Sequence, residues 1–431
     1  MGRNKRIITI IIILSLLINS VGIISEFNIS EKSKGERDTS ASEIGSAFGT
    51  DIARNGDNLY VPQVVDEEGL LLSMSDDNGK TWNTKKLVGW DNLSSSPDIA
   101  IDDEYIHLVF STDYEEGPKH ISDLFYMRSK DEGETWSKPY KVTKNDDQFR
   151  YSGSSIVTED NMLYVMGYRF GNSTDPWIFS IRSPDDGENW SDFSYPAKDL
   201  DIVDWPPVSF SVIDSKIFLA YYSRSMTYFK KSEDEGNTWS SKKALNSQPE
   251  YAGLSQITAE DGILFYVYAA WPRDFDSVSY KIKKSYNEGE DWEFSDTILQ
   301  YEIPDTDFEG IRFYDFEIEN KTLTLSYSKY LGSNRYKILC EVSYDGGETW
   351  NESIEISEGS LLLLAPSTTF SEDGKDIHVI WNDYGDKKVL YRQVTPGKQE
   401  DDNKKRAVGI VGMILLVLVS VFLFYIVSRR K

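Results

Sequence analysis

Residues 343–350 read SYDGGETW, and the chain writes variants of this octapeptide six times. The other copies are SDDNGKTW ending at Trp82, SKDEGETW at Trp136, SPDDGENW at Trp190, SEDEGNTW at Trp239 and SYNEGEDW at Trp292; this one ends at Trp350. The shared pattern is Ser-x-Asp-x-Gly-x-Thr-Trp. Asn287 replaces the Asp of the fifth copy, Asp291 replaces the Thr of that same copy, and Asn189 replaces the Thr of the third. Successive tryptophans lie 54, 54, 49, 53 and 58 residues apart. Self-similarity at a period near fifty is the mark of one supersecondary unit repeated about an axis or along a stack.

The residues around each copy define that unit. In the second, SPDIAID (96–102) alternates apolar and polar, EYIHLVFST (104–112) is a nearly continuous apolar run, and DLFYMRS (123–129) and KPYKVT (138–143) flank the octapeptide. Alternation and short apolar runs bounded by turn residues predict four strands per unit, with the octapeptide between the third and fourth. Aspartate staples turns by accepting backbone N–H groups, which explains Asp77, Asp131, Asp185, Asp234 and Asp345 without metal binding or catalysis. Asn287 retains an acceptor, glycine supplies a positive φ, and the tryptophan ring is expected to pack between neighbouring sheets.

A β-propeller resemblance follows. A Ser-x-Asp-x-Gly-x-Thr-Trp box between the third and fourth strands of a four-stranded unit resembles the Asp-box, or BNR, repeat of the sialidase superfamily. Three strands precede the first box. After Trp350, STTFSED (367–373), DIHVIWND (376–383) and KKVLYRQV (387–394) supply three more without a box. The expectation is an all-β propeller of seven four-stranded blades over 46–394, the last outer strand missing or donated by residues just before 46; six blades is the alternative. Donation would close the ring and remove an open edge.

The resemblance implies a central cleft in which a working sialidase uses three arginines, a Tyr–Glu nucleophile pair and an acid Asp. Its Arg-Ile-Pro motif does not occur in this chain. The expected position falls near Phe48 to Thr50, with Arg54 later in the strand, and the loop VDEEG (65–69) is too short to carry Asp66 or Glu67 over the axis. Arg150, Tyr151, Trp205 and Tyr251 near the predicted inner-strand starts, with Trp271 and Arg273 on a loop between a second and third strand, are candidate ligand-binding residues. Arg312, Tyr314 and Glu309 are the candidate catalytic ones. Aromatic rings beside charges suit sugar stacking or peptide binding. The loss of Arg-Ile-Pro favours a non-catalytic module that binds glycan or protein, with a divergent exo-glycosidase as the alternative.

Outside the repeats, residues 1–25 read as a signal peptide or signal anchor, 26–45 as a polar tether and 395–406 as a stalk. Residues 407–427 are free of charge, and about 21 residues at roughly 1.5 Å each match a bilayer's hydrocarbon core. They predict a transmembrane helix with a cytoplasmic tail at 428–431 and the repeats outside the cell. Six Asn-x-Ser/Thr sequons fit that export. A formal charge of -25 argues against nucleic acid as a partner. His107, His120 and His378 lack zinc-ligand spacing. Cys340, the single cysteine, reads as core filler. No cofactor is expected, and no motif supports structural calcium on the acidic loops.

Overall fold

The computed structural model describes residues 41–45, 48–49, 51–93, 97–116, 119–143, 149–171, 176–198, 200, 208–223, 226–246, 251–272, 276–293, 296–303, 314–332, 335–351, 353–361 and 363–396. The apolar segments at 1–25 and 407–427 lie outside the described residues. Among the described residues, no helix is long and apolar enough to cross a membrane.

The described strands form seven antiparallel sheets, taken in chain order. Blade 1 carries Asn58–Val65, Gly69–Ser75 and Asn83–Val88, with an inner edge split into Phe48–Gly49 and Ala53–Asn55. Blade 2 is Asp98–Ile101, Ile106–Glu116, Lys119–Ser129 and Tyr140–Lys141; blade 3 is Arg150–Glu159, Met162–Phe170, Trp177–Ser183 and Ser194–Ala197. Blade 4 is Ser209–Ile213, Lys216–Ser223, Met226–Ser232 and Lys243–Ala244; blade 5 is Tyr251–Glu260, Ile263–Trp271, Ser277–Ser285 and Asp296–Glu302. Blade 6 is Tyr314–Glu319, Thr322–Gly332, Arg335–Ser343 and Ile354–Leu361. Blade 7 takes Leu363–Phe370, Ile377–Asp383 and Lys388–Val394 from the C-terminal side. Its outer strand is Ser42–Gly45, paired antiparallel with Lys388–Val394. The seven-bladed reading and the donated strand are therefore what the structure has, and the end of the stretch read as tether belongs to the propeller.

Inner strands of successive blades touch all the way round, including Leu363–Phe370 of blade 7 against Ala53–Asn55 of blade 1. The core is divided accordingly into wedges between blades. Leu108, Phe110 and Tyr60 pack between blades 1 and 2, and Ile380, Val389 and Tyr391 meet Ile44, Leu59 and Val61 between blades 7 and 1. Second strands are buried on both faces, as in Ile377–Asp383, where every residue is buried; this is why they read as unbroken apolar runs. Cys340 is fully buried, and burial pushes its thiol up to about 12.

The boxes share one hydrogen-bond pattern. In the first, Ser75 Oγ donates to Asp77 Oδ1 at 2.9 Å while accepting from Gly79 N at 2.9 Å. Thr81 N donates to Asp77 Oδ1 at 2.8 Å and Thr81 Oγ1 to Asp77 Oδ2 at 2.7 Å. The same bonds hold the boxes of Asp131, Asp234 and Asp345. At Asp185 the Nδ2 of Asn189 donates instead of a Thr hydroxyl. The glycine has φ +83° at Gly79, where a Cβ would also fall 1.8 Å from the Tyr391 hydroxyl of the preceding blade. The tryptophan leans on the same neighbour: Trp82 meets Tyr391 edge-on at 5.0 Å, Trp190 meets Tyr126 at 5.2 Å and Trp292 meets Phe229 at 5.5 Å. Only Trp190 is more than nine-tenths buried; Trp136, Trp239 and Trp350 are half-buried like the rest. The full-core penalty of ~3–5 kcal/mol for Trp→Ala applies to Trp190 and less elsewhere.

The fifth box keeps its shape by exchanging donor and acceptor. Asn287 Oδ1 accepts from Asp291 N at 2.8 Å, and Asn287 Nδ2 donates to Asp291 Oδ2 at 3.2 Å. The two departures from the motif therefore compensate each other. Asn287→Asp alone sets two carboxylates face to face and is expected to cost about 1 kcal/mol, whereas Asn287→Asp with Asp291→Thr restores the common pattern and the stability. Urea denaturation of the two singles and the double tests the coupling; additive effects would contradict it.

Candidate functional site

Each inner strand enters the channel at the end of the molecule opposite the boxes, because a box follows the third strand of an antiparallel blade. One polar residue per blade lies near that entrance: Asp51, Asp98, Ser155, Ser209, Gln256, Asp315 and Ser367 in blades 1 to 7. In each blade the next residue is Ile52, Ile99, Ile156, Phe210, Ile257, Phe316 or Thr368. Most of these followers are apolar and turn into the wedge between blades, as strand alternation requires.

These polar residues bind blade to blade. Asp98 Oδ2 accepts from Ser155 Oγ at 2.9 Å and from Ile156 N at 2.7 Å. Ser209 Oγ accepts from Ile257 N at 2.8 Å. Asp315 accepts from Gln256 Nε2 at 3.0 Å and from Thr368 N at 2.8 Å, and Asp51 Oδ1 accepts from Ser367 Oγ at 2.9 Å and from Ile52 N at 2.8 Å. Asp98 also lies beside the carboxyl group of Asp51. Burial and then the charge of Asp51 hold the Asp98 pKa well above the usual carboxylate range. Burial, reinforced by Asp51, raises Asp315 to about 6. Deeper in the channel, burial and then Asp315 push Glu317 well up. Beyond it, Arg54 Nη2 donates to both oxygens of Glu319 at 2.8 and 3.0 Å, a pair that ties blade 1 to blade 6 at the box end. Arg54 is thus held away from the mouth. Asp66 is exposed beside Lys387 at 3.8 Å on the turn between blade 1's second and third strands, and Glu67 occupies that turn with φ 66°.

The residues predicted from sequence separate into three groups. Tyr151 is fully buried, its ring 5.4 Å from Phe179 and 5.7 Å from Phe193, so as placed it is a core residue and not part of a binding surface. Trp271 is likewise in the core between blades 5 and 6. Tyr314 stands at an inner-strand start, but its hydroxyl donates to Val267 O at 2.9 Å and its ring meets Tyr280 edge-on at 5.3 Å. Burial raises its pKa well above a free phenol, the opposite of what a nucleophile needs. Arg150 is exposed and lies 3.6 Å from Asp113 at the mouth. Tyr251 pairs with Trp271 in the ladder; its side chain, together with Trp205, Arg273, Glu309 and Arg312, lies outside what is described. Sequence reasoning missed the seven-membered polar ring. Its signal was the polar residue directly before the apolar one in DIA (51–53 and 98–100), SIV (155–157), SFS (209–211), QIT (256–258) and DFE (315–317).

Histidine chemistry is structural too. His107 Nδ1 bonds Tyr126 Oη at 2.7 Å and Nε2 bonds Asp102 Oδ2 at 2.8 Å, inside blade 2. Burial lowers its pKa, so it is held neutral. His378 bonds Tyr391 Oη at 2.8 Å in the same way in blade 7. Among the described residues, no group of three or more His, Cys, Asp or Glu is placed to hold a metal ion.

No known family profile and no curated protein matches the chain. Among solved structures, an ulvan lyase solved with -[GlcA(1-4)Rha3S]- bound aligns at 14% identity and TM-score 0.56, over 83% of this chain and 94% of that one. An alpha-L-arabinofuranosidase of Fusarium graminearum aligns at 15% identity and TM-score 0.48, over 70% and 93%. A Trypanosoma rangeli sialidase aligns at 14% identity and TM-score 0.46, over 81% and 60%. The chain is an Asp-box β-propeller whose structural neighbours are sialidase-like and related glycan-acting propellers; at these identities the likeness is one of fold.

Proposed function

We propose that this propeller is a cell-surface, non-catalytic glycan-binding module, carried outside the membrane by the apolar segment at 407–427. One observation carries the reading. The three carboxylates of the polar ring are committed to inter-blade hydrogen bonds: Asp98 to Ser155 and Ile156, Asp315 to Gln256 and Thr368, Asp51 to Ser367. A glycosidase needs a carboxyl group free to protonate the leaving group. Here the same groups clasp neighbouring blades. The saccharide bound to the ulvan lyase of the same fold supports a glycan ligand.

The full-length protein, incubated with a fluorogenic sialoside and a panel of aryl glycosides, is expected to show no turnover while retaining hits on a glycan array. A second reading, a glycoside hydrolase, is favoured by Asp315, whose carboxyl group burial raises to about 6, in the direction a general acid needs. Turnover that disappears in Asp315→Asn, a conservative change at the ring, would establish that reading instead.

A further inference from the structure

We propose a second binding site, for an anionic sugar residue, in the wedge between the outer parts of blades 3 and 4. A cavity of about 340 Å³ opens there, at the lower end of the volumes that hold small ligands. The outer strand of blade 3 forms one wall through Pro196 and Ala197. Tyr221, Ser223, Tyr228 and Lys230 of blade 4's second and third strands form the other, and Lys198 and Lys242 stand at the rim. None of these residues is on an inner strand, so the cavity is separate from the channel mouth.

The charge is what sets this cavity apart. The chain holds 71 acidic residues against 46 Lys and Arg, and several of its cations pair with carboxylates. Lys141 meets Asp123 at 2.8 Å, Lys231 meets Glu290 at 2.8 Å and Lys284 meets Glu348 at 2.5 Å. Lys198, Lys230 and Lys242 converge on one cavity with no carboxylate partner among the described residues. Lys230 Nζ donates to Pro196 O at 2.7 Å, which leaves donors to spare on a group that has three. Burial, then the neighbouring Lys242, lowers the Lys230 pKa, the response of a cation lacking a counter-charge.

The rest of the lining describes a sugar better than a bare ion. Tyr221 and Tyr228 stack at 5.6 Å and bring hydroxyls and ring faces together. Lys242 sits 4.6 Å over the Tyr228 ring, and Lys198 4.5 Å over Trp177, so the ammonium groups are held on aromatic platforms at the opening. The Tyr221 and Tyr228 hydroxyls offer hydrogen bonds to a pyranose ring. Lysine ammonium groups act as point charges that do not demand the planar fork geometry of a carboxylate, so a uronate and a sulfate ester are equally acceptable. The ligand class is therefore a pyranose carrying a carboxylate or a sulfate. Its saccharide part rests on the glycan-binding reading above; its anionic part rests on the lysines alone.

The test is calorimetric titration of the full-length protein with four probes: an oligogalacturonate, a sulfated dextran oligosaccharide, unsulfated dextran of the same length, and inorganic sulfate. We expect one or both anionic saccharides to bind, with affinity falling as salt rises. Lys230→Gln with Lys242→Gln should weaken that binding roughly tenfold or more and flatten its salt dependence. The arm that binds identifies the charged group. Two further single changes at exposed positions, Lys198→Gln and Lys242→Gln, carry the same comparison should the double variant lose its fold. Absence of heat from both anionic saccharides, equal binding by the lysine variants, or inorganic sulfate binding as tightly as the sugars each overturns the site. A neutral-glycan response that survives the lysine changes while no anionic saccharide binds would sink this proposal and leave the glycan-binding reading standing.

Discussion

Removing residues 1–45 is expected to destabilise the propeller more than any single box substitution. The deletion strips the outer strand from blade 7, where Ser42, Glu43 and Gly45 pair with Tyr391, Leu390 and Val389. It also takes Ile44, only 4% exposed, out of the wedge that joins blades 7 and 1. The carbonyl of Ile44 is the acceptor for Ser73 Oγ at 2.7 Å and for Gln63 Nε2 at 3.4 Å, both fully buried groups of blade 1. Truncating Ile44 to Ala should cost about 3 kcal/mol, and the full deletion more, since buried donors lose their acceptor as well. Gly45→Val tests the same join without shortening the chain: a Cβ there would fall 1.7 Å from the buried Gln63 Oε1. The measurement is the urea midpoint of each variant, with size-exclusion chromatography to detect association through the exposed edge of Lys388–Val394. An unchanged midpoint in the deletion variant would show that the ring does not depend on this closure.

That closing strand shows how much the sequence discloses. Blade number was legible because six boxes and three boxless strands count blades directly. The missing strand was legible as one of two possibilities, absent or donated by residues just before 46, since SEIG offers a single apolar residue, Ile44, and no strand run of its own. Blade 7 needs it because Lys388–Val394 would otherwise be an open edge. The mouth was read less well, for a reason of strand geometry. Arg150 and Tyr151 are adjacent, so they must point to opposite faces, and the structure puts Arg150 out and Tyr151 into the core. The polar ring escaped because Ser155, Ser209, Gln256 and Ser367 are ordinary polar residues taken singly. What joins them is adjacency between blades some fifty residues apart, which no local pattern encodes. Conversely, the compensation of Asn287 by Asp291 is visible once the box is understood as one donor facing one acceptor.

Asp315→Asn is expected to remove a loss of stability that the wild type carries as pH rises from about 4 through 6. Asp315 has a reference value of 3.8 and is raised to about 6, chiefly by burial. A carboxyl group whose folded pKa is raised binds its proton more tightly in the folded state. Its contribution is therefore complete below about pH 4 and is lost as pH rises through 6. A shift of about two units corresponds to roughly 3 kcal/mol for a buried group. Asp98 and Glu317, raised in the same direction by burial and by neighbouring carboxylates, extend the decline to higher pH. The boxes act oppositely. Hydrogen bonds from Thr81 and Thr349 hold Asp77 and Asp345 down to about 2, so their contribution is present above about pH 4 and lost as pH falls through 2. His107 and His378, whose values burial lowers, likewise lose stability as pH falls below about 6.5, so the contribution of Asp315 shows in the difference between variant and wild type and not in the position of a maximum. Asn at 315 is accommodated because Gln256 Oε1 has no partner among the described residues. Turning that amide over lets it accept from the new Nδ2 while Asn Oδ1 keeps the bond from Thr368 N. Urea unfolding between pH 4 and 8 is expected to show Asp315→Asn near wild type at pH 4 and more stable by up to about 3 kcal/mol at pH 8. Asp103→Asn, an exposed control that removes the same unit of charge, should shift little at any pH. A gain at 315 that is the same at pH 4 and pH 8, or one that the control reproduces, would mean that net charge and not the channel ring governs the acid side of the profile.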